Sequence, residues 1–211
     1  MTIQIPRQAR LLFTGDSITE AGRDLGSADS LGSGFVRMVS DNISSACPEV
    51  GTRMLNTGIG GHRVRDLQSR WTSDVLALHP QLITILIGIN DVSRRYDTGD
   101  VTTSDEYRDS YTALLRSTSA ISAQVVLIEP FLLPVRHEQQ RWREDLDPKI
   151  AIVRQLAREF DTQLIEADSL MTESAIATGP TPWCPDGVHP SLAGHRLLAD
   201  AWLGLIQLKP A

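Results

Sequence analysis

The sequence has little cysteine and no excess of positive charge. Cys47 and Cys184 are the only two cysteines among its 211 residues. They lie far apart without CxxC or Cys/His spacing, so neither a disulfide framework nor a zinc site is indicated, and both are interpreted as free thiols. A formal net charge of -6 does not fit a binder of phosphate backbones, which needs a basic stripe. Nucleic acid is therefore not a predicted partner.

Long apolar runs are also absent. Residues 1–10 contain no stretch that could form a signal-peptide core, and no later segment is long enough to span a bilayer. We therefore expect a cytoplasmic protein without a membrane partner. Hydrophobic residues at 41% and charged residues at 22% are ordinary globular values, and the length favours one α/β domain over residues 1–211.

Short apolar runs without internal proline recur along the chain. Runs that are β-branched or leucine-rich and this short are typical of strands buried on both faces of a parallel sheet. Longer stretches with helical spacing separate them. The predicted strands are 10–13, 53–56, 82–87, 125–128 and 164–167, and the predicted helices are 34–45, 64–78, 104–122, 141–160 and 191–206.

Alternating strands and helices predict a doubly wound α/β fold with right-handed crossovers and a flavodoxin-like strand order. Ligands of such sheets bind beyond the carboxyl ends of the strands. Ser17, Gly61 and Asn90 each follow a predicted strand, so we expect them to meet at that edge. The polar segments 94–105 and 137–147 are predicted to form long surface loops over the site.

Ser17 is the candidate nucleophile. It follows Gly15-Asp16 after the first of these strands, where a tight turn would project its hydroxyl and direct free N–H groups towards the same point. A serine hydroxyl needs a base to remove its proton before it reacts. The alternative for this motif alone is that Ser17 caps the following helix.

Asp186 and His189 are the candidate partners of the nucleophile. They are separated by two residues in a segment opened by Pro185 and closed by Pro190. Such a pinned turn can hold the carboxylate against one imidazole nitrogen and leave the other facing Ser17. An ordinary surface turn is the alternative, but the joint presence of nucleophile, base and orienting group favours catalysis.

A serine-type reaction also needs neutral, preorganised donors for the developing oxyanion. Asn90 supplies a side-chain N–H, while Ser17 and a loop glycine can supply backbone N–H groups. Gly60 and Gly61 are not distinguished by this argument. The alternative is that the glycines grip a phosphate, although no Walker lysine follows them. Asp91 is expected to hold its loop through backbone hydrogen bonds.

These segments resemble the four sequence blocks of the SGNH (GDSL-type) esterase and lipase family. The resemblance spans nearly the whole chain. It implies a three-layer α/β/α, flavodoxin-like fold with a five-stranded parallel sheet, a triad of Ser17, Asp186 and His189, and an oxyanion hole of Ser17, Gly61 and Asn90. The family pattern Asn-x-x-Ile-x-Gly favours Gly61 over Gly60. The matching segments are 15–19, 56–61, 88–91 and 186–190.

Within the family, the sequence is similar to bacterial acetylxylan esterases, as in 14–23, 63–71, 87–92 and 189–195. This resemblance implies an oligosaccharide ester substrate and a homo-oligomer. Those relatives carry Trp directly before the triad Asp, whereas this chain has Pro185 there and Trp183 two residues earlier. Trp183 is the candidate wall of the acyl pocket. The candidate substrate-binding residues are Asp16, His62, Asp91 and Trp183.

The sequence therefore predicts a serine carboxylester hydrolase that needs no metal or other cofactor. Polar loops around the site favour a short-chain O-acetylesterase acting on sugars or oligosaccharides. A lysophospholipase or thioesterase is the alternative within the same reaction class. A non-catalytic, flavodoxin-like phosphate-binding protein is the alternative from another class, and it leaves the Asp186-His189 pair unexplained.

Overall fold

A computed structural model of the protein describes residues 2–208. Its main sheet has five parallel strands in the order β3-β2-β4-β5-β6, and two terminal strands, β1 and β7, pair in parallel beside it. The predicted five-stranded parallel sheet is confirmed. The strands are β1 Ile3–Ile5, β2 Arg10–Gly15, β3 Arg53–Asn56, β4 Leu82–Leu86, β5 Gln124–Ile128, β6 Gln163–Ile165 and β7 Ile206–Leu208.

Helices cover both faces of the main sheet. The helices are α1 Ser17–Glu20, α2 Phe35–Ala46, α3 Val64–Ser69, α4 Trp71–Asp74, α5 Ile89–Asp97, α6 Ser104–Thr118, α7 Arg143–Glu159, α8 Ala167–Ala175 and α9 Leu192–Leu203. Short 3₁₀ helices lie at Pro48–Val50, Leu76–Leu78, Ser119–Ile121 and His137–Trp142. None of the helices within residues 2–208 is long and apolar enough to cross a membrane.

The core has two layers because side chains alternate along each strand. On β2, Leu11 and Phe13 point into the layer under α2 and α9, while Leu12 points into the layer under α3, α6 and α7. Trp202 of α9 donates its indole N–H to Thr84 Oγ1 on β4 at 2.8 Å. This bond ties the last helix to the middle of the sheet, because a buried indole N–H needs an acceptor.

Four sequence predictions about individual elements were wrong. The predicted loop 94–105 is helical up to Asp97, and the predicted loop 137–147 consists of a 3₁₀ helix and the start of α7. Residue 167, assigned to a strand, begins α8, which was not predicted. The single helix predicted over 64–78 is split into α3, α4 and a 3₁₀ turn. The start of α7 lies within the helix predicted over 141–160, whereas α5 was not predicted, because its buried side chains are few: Ile89, Asp91 and Val92.

Candidate active site

The turn after β2 exposes the Ser17 hydroxyl. Gly15 has φ +153°, and a Cβ at this position would lie 1.9 Å from the Leu86 carbonyl oxygen on β4. Asp16 caps the first turn of α1, because its Oδ1 accepts from Ile18 N at 3.0 Å. The helix cap is therefore Asp16 rather than Ser17, which leaves the Ser17 hydroxyl free for other partners.

A continuous hydrogen-bonded relay links Ser17, His189 and Asp186. Ser17 Oγ lies 2.9 Å from His189 Nε2, and His189 Nδ1 lies 2.7 Å from Asp186 Oδ2. The other carboxylate oxygen of Asp186 accepts from the backbone N–H groups of Val188 and His189, at 2.9 and 2.7 Å. Burial by itself raises the pKa of Asp186, but the hydrogen bonds from the His189 ring and the two backbone groups outweigh it and lower that pKa. The carboxylate that orients the imidazole is thus held ionised.

Gln139 fixes the turn that carries Asp186. The Gln139 side chain is buried, donates to the Asp186 carbonyl at 2.7 Å and accepts from Val135 N at 2.9 Å. Gly187 has φ +90°, and a Cβ there would lie 2.8 Å from Gln139 Oε1. Sequence reasoning missed Gln139; its location in the predicted loop 137–147 over the site was the one available signal.

Asn90 and the glycine loop lie on the other side of the nucleophile turn. Asn90 lies in the first turn of α5 and donates from Nδ2 to the His62 carbonyl at 3.0 Å, which joins its side chain to this loop. The Gly60 N–H donates to the Glu20 carboxylate. No acceptor within residues 2–208 receives the N–H of Gly61. The contacts thereby distinguish the two glycines: Gly60 is engaged by the protein, and Gly61 is available to a ligand.

The His62 ring is locked in one orientation by Arg70. Arg70 Nε donates to His62 Nδ1 at 3.2 Å. A guanidinium has no acceptor, so His62 Nδ1 must accept and the neutral ring carries its proton on Nε2. Burial, followed by the charge of Arg70, lowers the pKa of His62. His62 is therefore a neutral N–H donor next to the loop glycines.

Two buried carboxyl groups lie beneath the site. Asp16 and Asp91 are fully buried, and burial raises the pKa of each to about 7. Asp91 accepts from Val64 N at 3.1 Å, which ties the start of α3 to α5, whereas one oxygen of Asp16 has no partner among the described residues. Because both carboxyl groups are buried, they do not contact a substrate directly. They affect substrate binding only by positioning neighbouring residues.

Trp183 and Cys184 lie in the segment before Asp186. Trp183 is half-buried, packs against the core and donates from Nε1 to Thr178 Oγ1 at 2.9 Å. Cys184 is fully buried, and burial raises the pKa of its thiol to about 12. A thiol in that environment stays protonated, so Cys184 serves packing rather than chemistry.

The relay lies on an open surface. The side chains of His189 and Asp186 are 55% and 49% exposed. A cavity of about 460 Å³ lies instead beside the edge strand β3, where Arg23, Asn56 and Thr57 are among its lining residues, and it includes none of the relay residues. Within residues 2–208 no group of three or more His, Cys, Asp or Glu side chains is arranged to hold a metal ion. The geometry fits nucleophilic attack by the Ser17 side chain on an ester that reaches the site from solvent.

Comparisons with known proteins agree with this geometry. The model of the GDSL-like Lipase/Acylhydrolase family matches residues 13–197. The acetylxylan esterase of Geobacillus stearothermophilus is 39% identical over 202 residues, covering 92% of each chain. A solved structure of that enzyme, Axe2, superposes with a TM-score of 0.88 at 36% identity over 95% of this chain and 94% of that one. A protein of Parabacteroides merdae assigned as a GDSL-like lipase gives a TM-score of 0.91 at 32% identity over 97% and 98%.

The family match covers most of the chain, and the superpositions cover 95% and 97% of it. Both the fold and the reaction class predicted from the sequence are confirmed. The chain belongs to the GDSL-like lipase and acylhydrolase family and is an ester hydrolase.

Proposed function

We propose that this ester hydrolase is an O-acetylesterase that removes acetyl groups from sugars or oligosaccharides, with Ser17, His189 and Asp186 as its catalytic triad. The observation that carries the triad assignment is the unbroken relay from Ser17 Oγ through His189 to Asp186, at 2.9 and 2.7 Å. Solved catalytic mutants of Axe2 replace a serine, an aspartate and a histidine, and that histidine follows the aspartate by three positions. Asp186 and His189 have the same spacing.

The reaction proceeds through an acyl-enzyme. His189 Nε2 takes the proton of Ser17 as Oγ bonds to the ester carbonyl carbon, and the carbonyl oxygen becomes an oxyanion. His189 then gives this proton to the alcohol oxygen as the carbon–oxygen bond breaks, which releases the sugar. A water molecule, deprotonated by His189, attacks the acyl-enzyme; the bond to Ser17 Oγ breaks, His189 returns the proton to Oγ, and acetate is released. Asp186 stabilises the imidazolium in both steps.

The oxyanion hole consists of the backbone N–H groups of Ser17 and Gly61 and the side-chain amide of Asn90. The Gly61 assignment is supported by the engagement of the neighbouring Gly60 N–H with Glu20. The bond from Asn90 to the His62 carbonyl supports a fixed amide orientation. Preorganised neutral donors of this kind stabilise the transition state because they need no reorganisation as charge develops.

The substrate class rests on the relatives and on the shape of the site. Axe2 is described as an acetyl-xylooligosaccharide esterase. In this chain the exposed His189 and Asp186 side chains leave room for a bulky alcohol. His62 adds a neutral donor for a hydroxyl group at the site edge, and Trp183 is the candidate wall for the acetyl group.

The triad is tested by acetate release from p-nitrophenyl acetate. Ser17→Ala is expected to lower kcat by at least about a thousandfold, because loss of a triad serine leaves only binding and oxyanion stabilisation. Ser44→Ala changes an exposed serine on α2 and is the matched control, with circular dichroism to verify that both variants fold. Equal kcat values for Ser17→Ala and wild type would refute the assignment.

The substrate class needs a separate panel. Acetylated xylooligosaccharides should release acetate, and kcat/KM for p-nitrophenyl esters should fall from acetate to octanoate. A preference for octanoate over acetate would favour the lysophospholipase or thioesterase alternative instead.

The proposed assembly rests on the family resemblance alone. We expect a homo-oligomer, because the resemblance to acetylxylan esterases implies one. Sedimentation velocity of the purified protein tests the assembly, and a monomer across the micromolar range would contradict it.

A further inference from the structure

We propose that Arg70 is a positioning residue for the oxyanion hole, because its guanidinium fixes the loop that carries Gly61 against the turn that carries Ser17. This inference deepens the proposed function and depends on it, since the loop has a catalytic meaning only if Ser17 is the nucleophile. Arg70 itself has no described contact with Ser17, His189 or Asp186.

The contacts of Arg70 reach three places in the site. Nη2 donates to the Gly15 carbonyl at 3.1 Å, two residues before Ser17. Nη1 donates to the Thr57 carbonyl at 2.6 Å, and Nε donates to His62 Nδ1 at 3.2 Å. Thr57 and His62 bracket the loop that contains Gly61. One planar group therefore joins both ends of this loop to the nucleophile turn.

A salt bridge alone does not account for this arrangement. Asp74 accepts from Nη1 at 2.9 Å, one helical turn further along the chain. That pair could form on the surface, yet the Arg70 side chain is only 10% exposed. Burying a guanidinium is unfavourable unless its donors are satisfied, and three of the four N–H groups that do not bond to Asp74 donate to the two loops. The ion pair anchors Arg70 while the other bonds place the loops.

Other side chains hold the middle of the same loop. Arg23 donates to the Gly58 carbonyl at 2.7 Å, and Glu20 accepts from Gly60 N. Both extend from α1 or the residues after it. Arg70 approaches from the junction of α3 and α4, and it holds the loop ends rather than its middle. Its removal should therefore shift the loop by a fraction of an ångström and leave the fold intact.

A lysine cannot replace Arg70 in this role. A guanidinium presents five donors in a fixed plane, whereas an ammonium is a compact point charge on a flexible stem. Arg70→Lys keeps the pairing with Asp74 but cannot reach Gly15, Thr57 and His62 together. Since small misplacements within a catalytic site can cost about a hundredfold in rate, we expect kcat to fall by about 30- to 100-fold in Arg70→Lys and in Arg70→Ala.

The experiment compares Arg70→Lys and Arg70→Ala with Arg10→Ala, all assayed on p-nitrophenyl acetate. Arg10 is the matched control because it also donates to a backbone carbonyl, that of Leu78 at 2.8 Å, at the amino end of the sheet.

We expect the Arg70 variants to lose kcat with little change in KM and with an unchanged acidic midpoint of kcat/KM. Their affinity for an alkyl boronic acid, which forms a tetrahedral adduct on serine, should fall in parallel. Added guanidinium chloride at millimolar concentration should partly restore kcat in Arg70→Ala but not in Arg70→Lys.

Three outcomes would overturn the inference. One is a wild-type kcat in folded Arg70→Lys. Another is a loss of kcat that the folded fraction, measured by circular dichroism, accounts for. The third is a shifted acidic midpoint, which would mean that Arg70 acts through its charge on His189. The proposed function fails separately, when Ser17→Ala retains the wild-type rate. An inactive Ser17→Ala with a fully active Arg70→Lys would reject this inference alone.

Discussion

The pKa of Asp16 in the folded protein differs strongly from that of an aspartate in water. Its carboxyl group is fully buried behind Ser17, and burial raises its pKa to about 7. In an unfolded chain the pKa of an aspartate is about 3.9. Between these values the folded protein retains a proton that the unfolded chain has released. The contribution of Asp16 to stability therefore falls as the pH rises from about 4 to about 7 and is constant above that range.

Asp16→Asn should remove this pH dependence while it keeps a cap for α1. Wild type is expected to lose on the order of 2 kcal/mol more unfolding free energy than Asp16→Asn between pH 5 and pH 8. Urea denaturation at both pH values measures the difference. Asp97→Asn alters an exposed aspartate on α5 and should follow wild type. If Asp16→Asn also follows wild type, the carboxyl is not protonated in the folded state.

Residue identity predicted the reacting groups better than the groups that hold them. Ser17, Asn90 and His189 are candidates from the sequence because each carries chemistry that few other residue types can supply. The family pattern favours Gly61 over Gly60, but the physical difference between them, the contact of the Gly60 N–H with Glu20, is visible only in the structure. Gln139 is an ordinary glutamine whose role depends on contact with a turn 47 positions away. No local pattern in the sequence encodes such a contact.

At the scale of elements, the turns between strands and helices set the geometry of the site. Asn90 reaches its position because β4 passes into α5 through Gly88, which has φ +138°. A Cβ on Gly88 would lie 2.6 Å from the Tyr107 hydroxyl, which itself donates to the Ile87 carbonyl at 2.8 Å. The turn is thus constrained both by its backbone conformation and by lack of space.

Gly88→Ala tests the two constraints together when it is compared with Gly99→Ala, which has a positive φ but free space. Gly99 also has a positive φ, +77°, but no atom lies within 4 Å of its Cβ position. Gly99→Ala should therefore cost about 1 to 2 kcal/mol of unfolding free energy from backbone strain alone. Gly88→Ala should cost more, by about 1 to 3 kcal/mol for the overlap, and it should also lower kcat because Asn90 moves. Equal losses in urea denaturation would show that Tyr107 moves aside freely.

The strand predictions were most secure where both faces of the strand are buried. All five strands of the main sheet were predicted: β2, β4 and β5 are buried at almost every position, while the edge strands β3 and β6 are only partly buried and carry polar residues. α8 was missed because it starts at Ala167, two residues after β6 ends, with only Glu166 between the two elements. β1 and β7 have three residues each. Strands this short form because the two ends of the chain lie side by side in the fold. No local pattern in the sequence shows that these ends meet.

On the scale of the whole molecule, the two ends of the sheet have separate roles. The carboxyl ends of β2, β3 and β4 carry the loops of the site. α9 begins just after His189 and returns to the opposite end, where β7 pairs with β1. Three of the site segments were predictable because parallel strands place their carboxyl ends along one edge. The fourth, around Asp186, depends on α9 packing across the sheet.

This division predicts that stability and catalysis respond to different substitutions. Ile5 on β1 is 1% exposed and belongs to the layer that also contains Phe13 and Trp202. Ile5→Ala removes three buried carbon atoms at the end of the sheet away from Ser17, and such truncations cost about 2 to 4 kcal/mol. Urea denaturation should show that loss, while kcat and KM on p-nitrophenyl acetate stay within about twofold of wild type at 25 °C. Effects of distant, non-contacting sites are independent in this way when no shared network joins them. A fall in kcat in proportion to the lost stability would mean that the terminal strands and the loop around Ser17 form one cooperative unit.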